Sequence, residues 1–418
     1  MIQITATLLK YCRRISLITS LILIASCDSS GLAQNAATNE IESLEHSKTN
    51  RFTVPTTLTT WASDETPTLG DRELSIVPDI QNDLSRFIKN RADPIAAVML
   101  VSVKTGQVLA MAQGRAPENW GGTTHTALHN AFPAASLFKT VVSAAAFETI
   151  DVNPKHKVGL MGGCGEVNAR GVWMREDVRG RRFKLSLRRA YGNSCNDFFA
   201  KMAVNDVGLG PILNMSKRLG WNNHQIPADF EIPTSPMKEP NPITSSVHTI
   251  GRFAAGFGYV GMSVAHAAWQ TLAIANDGVA KPLSLLKSSS ETSSTIQSQV
   301  VISEATAQKI LSIMDATVLG GTATSAFRRG KYRSMRFDVG GKTGTLTGNY
   351  PDGITTWFTG VYPLEQPEVV VAAVTVLDKL WHFKAPNLAA EALWAYKSWT
   401  RKQAHVASSR LQKDSEKN

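Results

Sequence analysis

The apolar positions of the chain predict strands near both ends of a folded region. An apolar run at residues 95–103 is followed by the polar turn Lys104-Thr105-Gly106-Gln107 and by a second run at residues 108–112. Two such runs around a short Gly-containing turn predict a β-hairpin. Three further stretches with strand patterns, separated by Pro- and Gly-containing turns, lie at residues 337–345, 355–362 and 368–376.

Helical patterns occupy the sequence between and around these strands. One covers Ile80–Ile88, an Ala-rich series extends from Ala135 to about Asn276, another lies around Ser303–Ala316, and a last one begins near Pro386. Two strands, many helices, three strands and a final helix predict an α+β fold. In this fold an antiparallel sheet is built from both ends of the domain, and an all-helical lobe is inserted between them.

The first 26 residues have the pattern of a signal peptide of the lipoprotein type. Three basic residues precede an apolar run at residues 15–25, which is long enough for a signal peptide and short for a bilayer span. The run ends in Ile24-Ala25-Ser26-Cys27, which resembles a bacterial lipobox, where cleavage before Cys27 leaves a thiol to carry the lipid. An ordinary signal peptide cut after Ala33 and an uncleaved short anchor are the alternatives.

The remaining boundaries follow from composition. Residues 27–70 are rich in Ser, Thr, Asn and Pro and predict a flexible tether, residues 71–400 hold the folded domain, and residues 401–418 predict a charged disordered tail. Asp28 resembles the signal that keeps a lipoprotein in the inner membrane. We therefore predict an exported protein on the periplasmic side of the bacterial inner membrane, held there by a lipid on Cys27 or by its signal segment.

The overall composition excludes several classes of protein. With 43% hydrophobic and 19% charged residues the chain is globular, and its net charge of +10 is spread along the sequence, which does not predict nucleic-acid binding. No HExxH sequence and no zinc-like Cys/His spacing occurs, so we expect no metal and no cofactor. Of the four cysteines, only Cys164 and Cys195 lie in the folded domain, where one disulfide and two free thiols are both compatible with the sequence.

Three short motifs carry the candidate chemistry: Ser136-Leu137-Phe138-Lys139, Ser194-Cys195-Asn196 and Lys342-Thr343-Gly344. Ser136 opens an Ala- and Val-rich segment, which places it at a helix start with Lys139 one turn along. A serine hydroxyl is a poor nucleophile until a base takes its proton, and a lysine can be that base only when neutral. Burial and the nearby cation of Lys342 would both favour the neutral amine of Lys139.

Similar short sequences occur elsewhere in the chain. Ser-x-x-Lys is also found at Ser235–Lys238 and Ser284–Lys287, and Lys-Thr-Gly at Lys104–Gly106. The first lies in a Pro-rich loop, the second borders a polar loop and the third is the turn of the predicted hairpin. We assign no chemistry to these three sites.

The three motifs in this order resemble the transpeptidase domain of penicillin-binding proteins and the related serine β-lactamases. The resemblance covers about Leu74–Trp399, and further matching segments lie at Val101–Met111, Ala273–Gly278, Gly320–Ala323 and Trp357–Gly360. One departure is Met262-Ser263-Val264, where many members of the family have Thr-Pro-Leu.

The resemblance implies a role for each motif residue. Ser136 would be acylated, Lys139 would accept its proton, and Ser194 would relay a proton to the leaving group. The backbone N–H groups of Ser136 and Thr345 would form the oxyanion hole. Substrate binding would fall to Asn196, Lys342, Thr343, Gly344 and Thr345.

The implied activity is that of a D,D-transpeptidase or D,D-carboxypeptidase, which acts on peptidoglycan stem peptides through a serine acyl-enzyme and takes β-lactams as covalent inhibitors. The chain has no room for a glycosyltransferase domain, so we expect a separate glycosyltransferase as a partner. A serine β-lactamase is the first alternative. A class A enzyme would need a Glu-x-x-Leu-Asn element, which Glu231-Ile232-Pro233-Thr234-Ser235 replaces here, and a class D enzyme would need a carbamylated Lys139. A non-catalytic β-lactam sensor or wall-binding protein is the second alternative.

Overall fold

The central element of the computed structural model is a five-stranded antiparallel sheet. The structure describes residues 51–415 apart from 56, 61–62, 92–93, 118–124, 162, 166, 176–182, 223–224, 288–295, 350 and 378–382. The strands of these described residues are β1 (Thr68–Leu69), β2 (Arg72–Glu73), β3 (Ile95–Ser102), β4 (Val108–Gln113), β5 (Phe132–Pro133), β6 (Lys157–Leu160), β7 (Phe183–Ser186), β8 (Gly261–Met262), β9 (Val279–Ala280), β10 (Gln299–Val300), β11 (Gly340–Asn349), β12 (Asp352–Tyr362) and β13 (Val369–Leu377). The central sheet has the order β11-β12-β13-β3-β4, and four small two-stranded sheets surround it.

Helices cover both faces of this sheet. The α-helices of the described residues are α1 (Pro78–Lys89), α2 (Lys139–Thr149), α3 (Leu187–Gly192), α4 (Asn196–Met202), α5 (Leu209–Arg218), α6 (Val247–Ala254), α7 (Val264–Ala275), α8 (Glu304–Leu319), α9 (Thr324–Phe327) and α10 (Ala385–Ser415). Helices α1 and α10 pack on one face, whereas α7 and α8 pack on the other. The helices from α2 to α6 form the lobe between the two halves of the sheet.

The burial of β3 and β13 explains their nearly continuous apolar sequences. In β3, Ala97 and Met99 join the core under the helical lobe, whereas Val98 and Leu100 join the core under α1 and α10. Every residue of β13 is buried. A strand that is covered on both faces reads as an apolar run rather than as an alternating pattern.

The predicted α+β class with its antiparallel central sheet is confirmed, but the inserted lobe is not all-helical, because β6 and β7 form a two-stranded sheet within it. The sheet takes β3 and β4 from the start of the domain and β11–β13 from its end, and the helical lobe lies between them in the sequence. The register brings Ala372 opposite Met99, which joins the two halves directly. One boundary differs, because Phe337 is 74% exposed and precedes the strand that begins at Gly340.

The folded unit begins earlier than the predicted boundary at residue 71. Phe52 bridges to Phe230, and Val54 and Leu58 are 3% and 2% exposed within the main core. The second half of the predicted tether, from residue 52, therefore packs against the domain. Its buried apolar residues are single and show no periodicity. The Ser- and Thr-rich composition is therefore the stronger signal in the sequence, and it predicts a flexible tether.

The segment after Thr400 also differs from the prediction. Helix α10 continues to Ser415, through most of the range 401–418 for which we predicted a disordered tail. The segment contains Ala, Arg, Lys and Gln and neither Pro nor Gly, so a helix that already exists extends through it at little cost. No helix in the part of the chain that the structure describes is both long and apolar enough to cross a membrane.

Candidate active site

The predicted nucleophile lies in a tight turn between a short strand and a helix. Ser136 belongs to the 3-10 turn Ala135–Phe138, which follows β5 and leads directly into α2. Ala135 has a φ of 49°, in the left-handed region that residues with a Cβ rarely adopt. Trp357 fixes the turn from the side of the sheet, because its Nε1–H donates to the carbonyl of Pro133 over 2.8 Å.

A glycine packs directly behind this turn. A Cβ at Gly256 would overlap the carbonyl oxygen of Ala135, and the φ of Gly256 is 91°. Both the space and the backbone conformation therefore require glycine at this position. The close approach holds the backbone of Ala135 and, through it, the direction of the Ser136 side chain.

Lys139 lies one turn along the same helix, with its amine surrounded by oxygen atoms. Its Nζ is 2.7 Å from Ser136 Oγ, 2.6 Å from Asn196 Oδ1 and 3.1 Å from the carbonyl of Ser194. A neutral amine has two N–H donors and one lone pair. The two carbonyl oxygens can take both donors, which leaves the lone pair for the Ser136 hydroxyl, the arrangement that a general base needs.

Burial makes the neutral form accessible. Lys139 is 0% exposed, and this desolvation lowers its pKa well below the usual value, with a further decrease from the charge of Lys342. Burial also lowers the pKa of Lys342 to about 7. Aromatic rings line the pocket of both amines: the ring centre of Phe199 lies 5.9 Å from Lys139 Nζ, and that of Tyr191 lies 5.5 Å from Lys342 Nζ.

The second motif places a hydroxyl between the two lysines. Ser194 Oγ accepts from Lys342 Nζ over 2.9 Å and lies 3.4 Å from Lys139 Nζ. The φ of Ser194 is 55°, so this residue also has left-handed backbone. Asn196, which contacts Lys139 Nζ through its Oδ1, is the first residue of α4. Strained residues that surrounding structure holds in place are typical of functional sites.

The third motif lies on β11, at the edge of the sheet. Lys342 is 0% exposed, and its Nζ also donates to the carbonyl of Thr343 over 2.7 Å. The hydroxyl of Thr343 forms a short hydrogen bond with that of Thr322, which contacts the carbonyl of Gly192 at 3.3 Å. Thr345 pairs with Thr356 of β12 in the sheet register.

These residues surround one cavity of about 320 Å³. Its predicted lining residues are Ser136, Ser194, Asn196, Thr343, Gly344 and Thr345, and the two lysines lie buried beneath them. The structure thus brings together all eight predicted catalytic and substrate-binding residues. The ninth predicted site residue, Cys27, lies outside the described residues.

Six further lining residues had no assigned role in the sequence: Phe257, Thr322, Thr356, Trp357, Lys384 and Pro386. Thr322 and Trp357 belong to segments that already resemble the family, which was the available signal for them. The described lining residues include neither a carboxylate nor a histidine. Glu231, which stands where a class A β-lactamase has its base for water, lies at the surface, and its carboxylate accepts from the Thr53 hydroxyl.

The similar sequences outside the motifs have structural explanations. Ser235 is 0% exposed and lies 2.7 Å from Nδ1 of the buried His266. The hydroxyl of Ser284 donates to Asp229, and Lys104–Gly106 forms the turn between β3 and β4. The described residues contain no group of three or more His, Cys, Asp or Glu side chains that could hold a metal ion.

The structure settles the state of the two cysteines in the domain. Cys164 and Cys195 form a disulfide that closes a loop with a sequence separation of 31. Cys195 is the middle residue of the second motif, and it is 1% exposed. The covalent bond therefore attaches directly to the segment that carries Ser194 and Asn196.

Comparisons with known proteins agree with this geometry. Residues 96–393 match the transpeptidase family described as "Penicillin binding protein transpeptidase domain". No curated protein matches the sequence. The family match includes all three motifs and both halves of the central sheet.

Several solved structures share the fold. One is the D,D-transpeptidase domain of a peptidoglycan glycosyltransferase from Eggerthella lenta, at 23% identity and a TM-score of 0.63, covering 79% of this chain and 83% of that one. A second is the TP domain of penicillin-binding protein 3 from Burkholderia pseudomallei, at 21% identity and a TM-score of 0.62, covering 81% and 98%. A third is PBPA from Mycobacterium tuberculosis, at 18% identity and a TM-score of 0.60, covering 78% and 80%. At these identities the similarity establishes the fold alone.

Proposed function

Because this chain belongs to the penicillin-binding protein transpeptidase domain family, we propose that it is a D,D-transpeptidase or D,D-carboxypeptidase of peptidoglycan stem peptides. The observation that carries the proposal is the contact of Ser136 Oγ with the buried amine of Lys139 at 2.7 Å. A nucleophile within hydrogen-bond distance of a base that can be neutral is the requirement for a serine acyl-enzyme.

Acylation begins when Ser136 Oγ attacks the carbonyl carbon of the penultimate D-alanine and its proton passes to Lys139 Nζ. The N–H groups of Ser136 and Thr345 stabilise the oxyanion, as the family resemblance implies. Collapse of the tetrahedral intermediate breaks the C–N bond to the terminal D-alanine. The departing nitrogen needs a proton, and Ser194 Oγ lies between Lys139 and Lys342 and can relay one.

The terminal carboxylate of the donor peptide is the negative charge that the third motif can bind. The hydroxyls of Thr343 and Thr345 line the cavity and can donate to this carboxylate, with Lys342 buried behind them. A bound anion favours the charged form of Lys342, so substrate binding and protonation of this lysine support each other. Asn196 lines the same cavity and can bind the peptide backbone.

The second half of the reaction resolves the ester. Water gives the carboxypeptidase product, whereas the amine of a second stem peptide gives the cross-link. In both cases neutral Lys139 takes a proton from the attacking nucleophile and returns it to Ser136 Oγ as the ester bond breaks, which regenerates the serine hydroxyl. Rapid hydrolysis in a class A β-lactamase depends on a carboxylate base for water, and none lines the described part of the cavity. A carbamate on Lys139, as in a class D enzyme, would displace Asn196, whose Oδ1 is 2.6 Å from Nζ. We therefore propose a long-lived acyl-enzyme with β-lactams.

Labelling with a fluorescent penicillin tests the nucleophile. We expect the full chain, purified in detergent, to acquire a covalent label that persists for hours, and we expect Ser136→Ala to acquire none. Ser284→Ala removes the serine of another Ser-x-x-Lys sequence and serves as the matched control, which should keep the label. No label on folded wild type, or equal label on Ser136→Ala, would contradict the assignment.

The lifetime of the label separates the alternatives. Loss within minutes would favour a β-lactamase. A stable label without release of D-alanine from a stem-peptide substrate would favour a sensor or wall-binding protein. Release of D-alanine at a rate that Ser136→Ala abolishes is the result that the proposed enzyme requires.

We also propose export with a lipid on Cys27, on the periplasmic side of the inner membrane, and cooperation with a separate glycosyltransferase. The support is the lipobox-like sequence Ile24-Ala25-Ser26-Cys27. Metabolic labelling with a radioactive fatty acid should mark the wild type and not Cys27→Ala. Equal labelling of the two proteins would remove the support for a lipid on this residue.

A further inference from the structure

The disulfide between Cys164 and Cys195 lies at an unusual place for a bond that only stabilises a fold. Cys195 separates Ser194 from Asn196, and both of these neighbours contact the amine of Lys139. Cys195 is also the residue that precedes α4, so the bond is attached where the helix begins. Any movement of the Cys195 backbone therefore moves the Ser194 carbonyl and the Asn196 side chain, the two groups that contact the base.

Ser194 is the residue that most needs such a constraint. Its φ of 55° is left-handed, a conformation that residues with a Cβ rarely adopt without support. Two backbone bonds hold this corner: Ser194 N–H donates to the carbonyl of Tyr191 over 3.1 Å, and Cys195 N–H donates to that of Ala190 over 2.9 Å. The disulfide adds a third attachment, through the Cys195 side chain.

The segment on the other side of the disulfide is itself held in place. Gly165 N–H donates to the carboxylate of Asp197 in the first turn of α4. Lys201 Nζ, one turn further along α4, donates to the carbonyls of Gly159 and Arg175 over 3.2 and 3.4 Å. Cys164 therefore belongs to a segment that is anchored to α4 at several points, and it can serve as a fixed support for Cys195.

We propose that Cys164 and Cys195 are positioning residues for the acyl-transfer reaction, and that their disulfide keeps Ser194 and Asn196 aligned with Lys139. The proposal rests on the proposed function. In the oxidised chain the Ser194 carbonyl and the Asn196 side chain take the two donors of the Lys139 amine and direct its lone pair to Ser136. Without the disulfide, Ser194 relaxes toward ordinary backbone conformations and the base loses this alignment.

The disulfide is accessible from one side only. Cys164 is exposed, whereas Cys195 is 1% exposed. A thiolate of dithiothreitol attacks the Cys164 sulfur, the S–S bond breaks, and Cys195 leaves as a thiolate that takes a proton. The second thiol of the reagent then releases Cys164 as a thiol and forms a cyclic disulfide, so that two electrons and two protons pass from the reagent to the protein.

The test compares acylation in the oxidised and reduced full chain. The protein is reduced with dithiothreitol, which is then removed without air, and peptide mass analysis after alkylation verifies the state of Cys164 and Cys195. Stopped-flow measurement with a fluorescent penicillin separates non-covalent affinity from the acylation rate constant. We expect reduction to lower the rate constant about 10-fold to 10²-fold, with the affinity little changed. Reoxidation should restore the rate.

The double variant Cys164→Ala/Cys195→Ala provides the matched control. It should react at the slow rate and should not respond to reductant. Hydrogen exchange of the peptide that contains residues 190–198 gives a readout independent of activity, and it should become faster on reduction. An equal acylation rate in oxidised and reduced protein, or unchanged exchange in this peptide, would overturn the proposal.

The remaining outcomes are also decisive. Unfolding of the whole domain on reduction, seen by circular dichroism at the assay temperature, would overturn the proposal because the bond would then hold the fold rather than the site. Failure of the oxidised wild type to be acylated would sink the proposed function instead. In that case the exchange measurement alone would still decide whether the disulfide holds the Ser194 segment.

Discussion

Two lysines without exposed surface define the chemistry of the site. Lys139 and Lys342 are both 0% exposed, and Ser194 Oγ lies between their amines. Burial disfavours the charged form of each lysine, and the charge of one disfavours the charge of the other. The base therefore becomes neutral at a pH far below the usual range for lysine, which is what acylation near neutral pH requires.

This coupling predicts the pH dependence of acylation. The active form of Lys139 is the neutral amine, so the rate rises with pH as the proton is lost. Lys342→Met removes the neighbouring cation, which raises the pKa of Lys139, and the rising limb of the rate should move to higher pH. At neutral pH we expect the acylation rate to fall by about 10²-fold.

Stopped-flow acylation between pH 5 and 9 provides the measurement. Lys104→Met is the matched control, because Lys104 begins the other Lys-Thr-Gly sequence and lies exposed in a turn. It removes one charge from the protein and should leave the limb in place. A limb that stays in place in Lys342→Met would show that the two lysines are not coupled.

The residues that the sequence did not reveal are those without a chemical signature. Ser136, Lys139, Ser194 and Lys342 were identified because their types and order match a family pattern. Tyr191 and Phe199 contribute by lining the pocket of the two amines, a role that any buried aromatic residue can have. Their positions depend on how α3 and α4 pack, and spacing along the chain does not encode this. For the same reason the sequence does not decide between a disulfide and two free thiols at Cys164 and Cys195.

The turn that carries Ser136 depends on the element behind it. Gly256 follows α6 and contacts the carbonyl of Ala135, whose φ of 49° sets up the nucleophile. Two elements that are distant in sequence thus share one strained backbone contact. Rigid placement of a nucleophile matters because a small displacement from the productive geometry lowers the rate strongly.

Substitution of this glycine tests the contact. Gly256→Ala should lower the acylation rate about 10²-fold, because the new Cβ displaces Ala135 and Ser136. It should also reduce the stability by about 1–3 kcal/mol through overpacking. Gly258→Ala is the matched control, because Gly258 also has a positive φ, 110°, but a Cβ there would meet nothing within 4 Å. Thermal melts and acylation rates of the two variants separate the effect of a Cβ at positive φ, which both share, from the effect of the overlap with Ala135, which only Gly256→Ala has. Equal effects of the two substitutions on the rate would refute the proposed role of the Ala135 contact.

At the level of elements, the sequence predicted the strands and helices that bury regular faces. The sequence predicts the hairpin β3–β4 and the strands β12 and β13 because most residues along each of these strands are buried, which gives them long apolar runs. The errors fall at elements that bury little. Residues 52–70 attach by isolated apolar side chains, and the helix beyond Thr400 buries almost nothing, so neither leaves a periodic pattern.

The molecule as a whole assembles one site from segments that are far apart in the chain. Ser194 and Lys342, whose side chains are 2.9 Å apart, are separated by 148 residues. Contacts at such separation form only when the lobe and the sheet have both folded, because the chain entropy of the intervening loop must be lost first. The site is therefore a property of the complete domain, and no single lobe of it could carry the chemistry.

The exposed end of α10 gives the molecule a built-in spacer. The helix continues to Ser415, and nearly all the side chains that the structure describes after Thr400 are exposed, although Lys402 still pairs with Asp79 over 3.0 Å. Fifteen helical residues rise by about 22 Å at 1.5 Å each. A reporter domain joined after Ser415 would thus be carried on a stiff arm away from the folded body, which makes this end a practical position for a fluorescent fusion or for attachment to a surface.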